Sequence, residues 1–233
     1  MSNNITVYTA LFTDDINYAY GKLPEYKTTP NLDFICYTNS PHLVSETWDI
    51  RLIELDITPR KQARKIKTLP QDYLGEYDAW IWMDNSCIFN YDPIDLYELY
   101  MDGFDMCVHE HCDRTNIFQE AKIIIDRNLD KPETIIKQIN NYKEEGYIDN
   151  GLFETGILMR ENNEKVISFN KMWWDEINSQ SIRDQLSFPY VKFKHPEVKI
   201  NEIKETFVAH KTLLGKQKSK HFQTIPRIKT KLK

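Results

Sequence analysis

The sequence predicts an α/β fold: a mostly parallel central sheet flanked by helices, in a single domain. Three observations point there. Short β-branched and aromatic runs recur along the first half of the chain, segments with helical apolar spacing and proline or polar starts alternate with them, and no repeat or linker-like stretch divides the 233 residues. A chain of this length buries a substantial core without disulfides or a structural metal.

Residues 5–12 (ITVYTALF) read as a buried parallel strand, and 33–38 (DFICYT) and 49–55 (DIRLIEL) repeat that character. Ser40-Pro41 breaks the chain between those two. Pro59 opens a basic helix over 60–69, where a proline in the first turn removes no hydrogen bond, and Pro70 ends it. The most apolar strand, 77–83 (YDAWIWM), runs directly into Asp84-Asn85-Ser86. A short helix at 93–100 and a strand at 105–109 follow. Thr115 is placed to cap a helix reaching 127, and Pro132 starts another that ends at 145 before Gly146. Residues 156–160 (GILMR) are strand-like, 161–177 carry helical spacing, and 183–191 form a shorter helix.

Composition narrows the class. Apolar residues at 41% and charged residues at 28% describe an ordinary globular chain, and no run reaches the apolar length of a membrane helix. The start, Met1-Ser2-Asn3-Asn4, has neither the basic opening nor the apolar stretch of a secretory signal. Cys36, Cys87, Cys107 and Cys112 lack CxxC spacing and read as reduced thiols, which places the protein in the cytoplasm as an expectation. The net charge of −5 hides an asymmetry: residues 206–233 hold no acid but eight lysines and arginines, so the rest is strongly acidic. The reading is a domain over 1–205 and a basic C-terminal segment over 206–233, partly packed on it. That segment is suited to a diphosphate, to an anionic membrane surface, or simply to solvent. The acidic body, with no base-reading motif, argues against nucleic acid as a partner.

Asp84 is the leading chemical candidate. A hydrophobic strand that stops at an acid delivers its carboxylate to the carboxyl edge of the sheet, where open α/β sheets bind ligands. There it can hold Mg²⁺ or Mn²⁺ against a diphosphate, or merely hydrogen-bond its own turn. Arg60, Arg64 and Lys67 share one helix face, with Lys61 and Lys65 as a second row; such a face grips phosphates or lies in solvent. His109 and His111 alternate, as on one face of a strand, without an obvious third metal ligand. Trp173-Trp174 offers a sugar-stacking surface, although consecutive helical residues diverge and one of them belongs to the core.

Several segments in order resemble the glycosyltransferase-like domain family of plants and microbes, formerly described as a domain of unknown function. They are VYTALF at 7–12, DFICYT at 33–38, Trp48, the Ala63-Arg64 to Leu69-Pro70 stretch and YDAWIWMDNS at 77–86. His111 with Arg114, FQEA at 118–121, EGY at 145–147, GLFETG at 151–156, WWDEI at 173–177 and RDQLSFPYV at 183–191 continue the series. The resemblance spans about residues 5–191 and implies a GT-A-like, Rossmann-related fold and a nucleotide-sugar donor, a UDP-sugar by preference, as in hexosyltransferases. It assigns Thr9, Ala10 and Phe12, with Arg64, Lys67, Asp84, Asn85 and Ser86, to the donor. Asp84-Asn85-Ser86 stands where that class carries a DxD motif, so the second acid is missing, and His210 is the implied replacement ligand beside Asp84 and Ser86 for Mn²⁺ or Mg²⁺. Glu154 and the Asp184-Gln185 pair are the implied catalytic residues; otherwise Glu154 would pair with Arg160 or Arg183, and Asp184 would serve a helix N-terminus. His111, Arg114 and Trp174 are implied to touch a glycan or glycoconjugate acceptor. The alternatives are a non-catalytic nucleotide- or glycan-binding module, suggested by the missing acid, and a lipid amide hydrolase, suggested by a ceramidase label in the family. HExxH and GxSxG are both absent.

Overall fold

Every residue of the first strand, β1 (Ile5–Leu11), is buried, because apolar side chains leave it on both faces and both faces are covered. The computed structural model describes residues 4–15, 23–26 and 31–204 and the backbone of 208–210. β2 (Leu32–Thr38) runs parallel to β1 in continuous register from Ile5↔Leu32 to Leu11↔Thr38. β3 (Asp49–Leu52) pairs parallel with β2. It is shorter than its sequence suggests and none of its residues is buried, as befits a sheet edge.

Helix α1 (Pro59–Thr68) begins on its proline and gives way to a 3₁₀ turn at Pro70–Asp72. β4 (Ala79–Met83), wholly buried, returns parallel to β1. Then come β5 (Cys87–Phe89), α2 (Pro93–Tyr100) and β6 (Met106–Glu110). α3 (Ile117–Asp126) is capped by the Asn116 side chain, which accepts the Gln119 N–H at 2.9 Å; Thr115, expected in that role, lies one residue too early. α4 (Pro132–Glu144) closes as expected at Gly146, whose φ of +76° suits glycine, with Tyr147 N–H donating to the Tyr142 carbonyl.

β7 (Phe153–Glu161) is longer than predicted and runs antiparallel to both β4 and β6. α5 (Glu164–Ser179), α6 (Asp184–Lys194), β8 (Ile200–Ile203) and β9 (Val208–His210) complete the described chain. The main sheet has the order β3-β2-β1-β4-β7-β6-β8, and β9 pairs antiparallel with β5 beside it. The result is the expected α/β architecture, a mostly parallel seven-stranded sheet flanked by helices.

Alternation along the strands divides the core into two layers. Tyr8, Ala10, Trp80, Trp82 and Leu158 meet α3–α6 on one face, while Val7, Leu11, Ile81, Met83 and Met159 meet Leu96 and Tyr97 of α2 on the other. Trp173 of α5 is fully buried, a burial that contributes roughly 1.5–3 kcal/mol for a large apolar side chain. Among the described residues no helix is long and apolar enough to cross a membrane. None of the four cysteines forms a disulfide; Cys36, Cys87 and Cys107 are buried and Cys112 is exposed.

Candidate active site

β1, β4 and β6 run parallel, so their C-terminal ends share one sheet edge, and antiparallel β7 brings its beginning to the same edge. Asp84 follows the last residue of β4 there. Its N–H donates to the Gly156 carbonyl (2.8 Å), and its carbonyl accepts from Cys87 N–H (2.8 Å), closing a tight turn through Asn85 and Ser86. The Asp84 side chain is 32% exposed, and its Oδ1 accepts the Trp82 indole N–H at 2.7 Å. Residues i and i+2 point the same way from a strand, which explains why the tryptophan can steer the acid. Asp84, Asn85, Trp82, Ala10, Phe12, Arg60 and Arg64 line a cleft of about 600 Å³. A neighbouring hollow of about 790 Å³ extends past Asn39, Asp56 and Gln62 and shares Thr13, Asp14, Thr58 and Pro59 with it. Thr9 points to the opposite face, where its Oγ1 is buried without a hydrogen-bond partner among the described residues.

Behind Asp84 lies a buried charge network. Lys67, with no exposed side-chain surface, places its ammonium 2.5 Å from Asp184 Oδ2 and 3.5 Å from Asp84 Oδ1, and donates to Thr155 Oγ1 at 3.1 Å. The Thr155 hydroxyl donates to Asp184 Oδ2 (2.9 Å), and Arg64 Nη2 reaches Asp184 Oδ1 at 3.2 Å. Burial pushes the Asp184 carboxyl up, but the Arg64 and Lys67 charges and the hydrogen bonds outweigh it and hold the pKa well below the usual carboxylate range. Asp184 is therefore ionised, and buried. The Trp82 and Trp173 rings flank the ammonium, with centroids at 5.6 and 5.9 Å. Lys67 is itself held from behind: its carbonyl accepts the Tyr8 hydroxyl (2.8 Å) and Arg160 Nη2 (2.6 Å). Burial raises the Tyr8 pKa, so the phenol keeps the proton it donates. Fully buried Arg160 also donates to Tyr8 Oη and to Asn170 Oδ1 and has no carboxylate partner among the described residues.

The second bank of the edge is built on β6 and β7. A register shift between Val108 and His109 moves the β7 partner from Leu158 to Glu154, and this bulge re-aims the start of β7. Thr155 turns to Asp184, and Glu154 stands 39% exposed with its Oε1 accepting the Cys112 thiol at 3.1 Å and lying 4.0 Å from His111 Nδ1. That hydrogen bond to a carboxylate pushes the Cys112 pKa up to about 11, so it is a thiol and not a thiolate. Burial and the Arg114 charge lower the His111 pKa, favouring the neutral ring. Arg114 Nη2 lies 2.6 Å from His111 Nε2, and its Nε donates to the buried Glu120 carboxylate at 2.7 Å. Between the two banks sits Cys87, its pKa raised to about 12 by burial first, with Asp84 and Glu154 adding to it.

The structure thus brings Arg64, Lys67, Asp84 and Asp184 into one network and His111, Arg114 and Glu154 into another beside it. Gln185 is half-buried next to Asp184, and Ser86 is exposed. Trp174 packs toward α1 beneath Lys65, whose ammonium is 5.9 Å from its ring, while Trp173 belongs to the core and donates its indole N–H to the Asp184 carbonyl. Glu154 pairs with neither Arg160 nor Arg183. The side chain of His210 lies outside the described residues, as do residues 211–233, but the backbone of His210 pairs with Cys87, next to Ser86. Sequence reasoning missed Tyr8, Thr155 and Arg160; nothing local marks them, because their partners are distant in the chain. A further groove of about 320 Å³ between α3 and α4, around Ile125, Ile136 and Ile139, is apolar and lacks this convergence of polar groups.

A family model described as TOD1/MUCI70, glycosyltransferase-like domain matches residues 54–213, more than half of the chain. That match passes the boundary at 205 drawn from charge alone. Among solved structures the chain is similar to a glycosyltransferase involved in the glycosylation of the major capsid of PBCV-1, at 8% identity and a TM-score of 0.46 over 92% of this chain and 95% of that one. No curated protein matches.

Proposed function

The chain belongs to the TOD1/MUCI70 glycosyltransferase-like domain family, and we propose that its cleft transfers a sugar from a nucleotide-diphosphate donor, a UDP-sugar by preference, to a hydroxyl of a glycan or glycoconjugate. What supports this reading is the position of Asp84: a partly exposed carboxylate on the wall of a cleft at the carboxyl edge of the sheet, backed by the Lys67–Asp184–Arg64 network.

The donor base and ribose lie along Ala10 and Phe12, and Asn85 and Arg64 approach the diphosphate. Lys67 does not face the ligand directly; it fixes the two aspartates. Asp84, Ser86 and His210 are the residues that would hold Mn²⁺ or Mg²⁺. The fit rests on one carboxylate at the cleft wall and on the β5–β9 pairing that sets the His210 backbone opposite Cys87. Such an ion, when bound, neutralises diphosphate charge. Asp184 stays ionised and aims Lys67 and Arg64, with Gln185 beside it toward the sugar. Glu154, the exposed carboxylate of the second bank, takes the proton of the acceptor hydroxyl as that oxygen bonds to the anomeric carbon and the bond to the nucleoside diphosphate breaks. His111 and Arg114 shape the acceptor side. We place the reaction in the cytoplasm, where buried thiols stay reduced, and we take 1–205 as the body of the catalytic unit, completed by β9 with His210.

The test is a panel of UDP-, GDP- and CDP-sugars, with and without Mn²⁺, assayed for donor turnover. Asp84→Asn is expected to lower turnover by about 100-fold or more with an unchanged melting temperature; full activity in that variant removes Asp84 from the mechanism. The missing second acid in Asp84-Asn85-Ser86 favours one other reading, a binding module without catalysis. Nucleotide binding with no turnover on any donor would establish it.

A further inference from the structure

The β6–β7 bulge gathers three side chains of different chemistry beyond the residues that line the cleft. His111 and Cys112 follow the end of β6, and Glu154 is the second residue of β7. The His111 N–H donates to the Leu152 carbonyl (2.8 Å), which pins the two segments together. The Cys112 thiol donates to Glu154 Oε1 at 3.1 Å, the Cys112 N–H reaches the same oxygen at 3.4 Å, and His111 Nδ1 lies 4.0 Å from it. One imidazole nitrogen, one sulfur and one carboxylate oxygen thus lie within 4.8 Å of one another, the only such trio of metal-ligating groups among the described residues. Sequence spacing pairs His111 with His109; the fold gives it Cys112 and Glu154 instead.

Each donor suits a cation. His111 Nδ1 accepts the Asp113 and Arg114 N–H groups at 3.1 and 3.3 Å, so it carries a lone pair and no proton. Both bonds are long and share that one lone pair, and they are weaker than a metal–nitrogen bond. Cys112 is the one exposed cysteine of the four and Glu154 is partly exposed, so an ion can enter from solvent and keep a water as its fourth ligand. Arg114, the positive charge at His111, is already paired with Glu120 at 2.7 Å, while Asp113 sets a negative charge beside the sulfur. Nitrogen, sulfur and oxygen together suit zinc, whereas magnesium and manganese prefer oxygen ligands.

We propose that His111, Cys112 and Glu154 form a Zn²⁺ site that switches the acceptor bank off. On binding, the Cys112 thiol releases its proton to solvent, and its hydrogen bond to Glu154 is replaced by a bond from each group to the ion. Thiolate and carboxylate together balance the charge of Zn²⁺. The oxygen that would receive the acceptor's proton is then a metal ligand and no longer a base. The switch rests on the part proposed for Glu154 above; the site itself does not.

Co²⁺ is the probe, because cobalt bound to a thiolate gains a near-ultraviolet charge-transfer band that cobalt on oxygen and nitrogen alone lacks. Titrating the reduced full chain with Co²⁺ is expected to raise that band, Zn²⁺ to abolish it, and Cys112→Ser to lack it. Cys112 stands outside the proposed machinery, and serine keeps a hydroxyl beside Glu154. Donor turnover by Cys112→Ser in saturating Mn²⁺ is therefore expected to match the wild type, while half-inhibition needs about tenfold or more Zn²⁺. A wild type without the band, or a Cys112→Ser variant with the same band and the same Zn²⁺ affinity, overturns the site. A band that depends on Cys112, with full turnover at saturating Zn²⁺, keeps the site and overturns the switch. A chain that turns over no donor removes the proposed reaction, and the cobalt band still decides the site.

Discussion

Lys67 sits on the same helix face as Arg60 and Arg64, yet its surroundings differ entirely from theirs. Helical spacing correctly puts the three together, but Asp184, which captures Lys67, arrives from α6, far along the chain. One-dimensional spacing carries no information about such a partner, so the row reads as one uniform face, gripping phosphates or lying in solvent, and not as two arginines on the cleft wall and a buried lysine. Asp84 was legible because a strand period and an abrupt end are local. Removing one member of a buried ion pair strands the other, and Lys67→Met is expected to cost roughly 3–5 kcal/mol in urea denaturation at neutral pH. A loss near zero would mean that water reaches Asp184. The low Asp184 pKa also sets a direction with pH. Its stabilisation is fully present above the ordinary carboxylate range and disappears only as pH falls through the lower folded value. The wild type and Lys67→Met should therefore converge only in strong acid.

Elements with punctuation at both ends were the most legible. Pro59 and Pro70 bracket α1, and Pro132 and Gly146 bracket α4. Where two polar residues compete for a cap, propensity alone does not choose between them, and Asn116 rather than Thr115 receives the Gln119 N–H. Asn116→Ala is accordingly expected to destabilise by about 1 kcal/mol and Thr115→Ala by under about 0.5 kcal/mol, read from paired urea melts; the reverse order would relocate the cap. β7 was legible only in its second half. Its opening residues, FETG, carry a single large apolar side chain, so the sequence shows little of the alternation that the fold gives them, with Phe153 and Thr155 buried and Glu154 half-buried.

At the scale of the molecule, the α/β class followed from alternating elements, whereas the antiparallel entry of β7 between β4 and β6 did not, since strand direction is a long-range property. The short β5, β8 and β9 left no readable period. β9 nevertheless pairs with β5 just beyond the Asp84 turn, so a chain ending at Lys204 is expected to bind UDP about tenfold or more weakly than one ending at Gly215, with equal affinities counting against any part for His210. The sheet order has one more consequence. Both banks of this edge rest on strands of one sheet, but the stretch between β6 and β7, with α3 and α4, returns to the edge it left. A change of length in that excursion would therefore leave β1, β4 and the turn at Asp84 where they are.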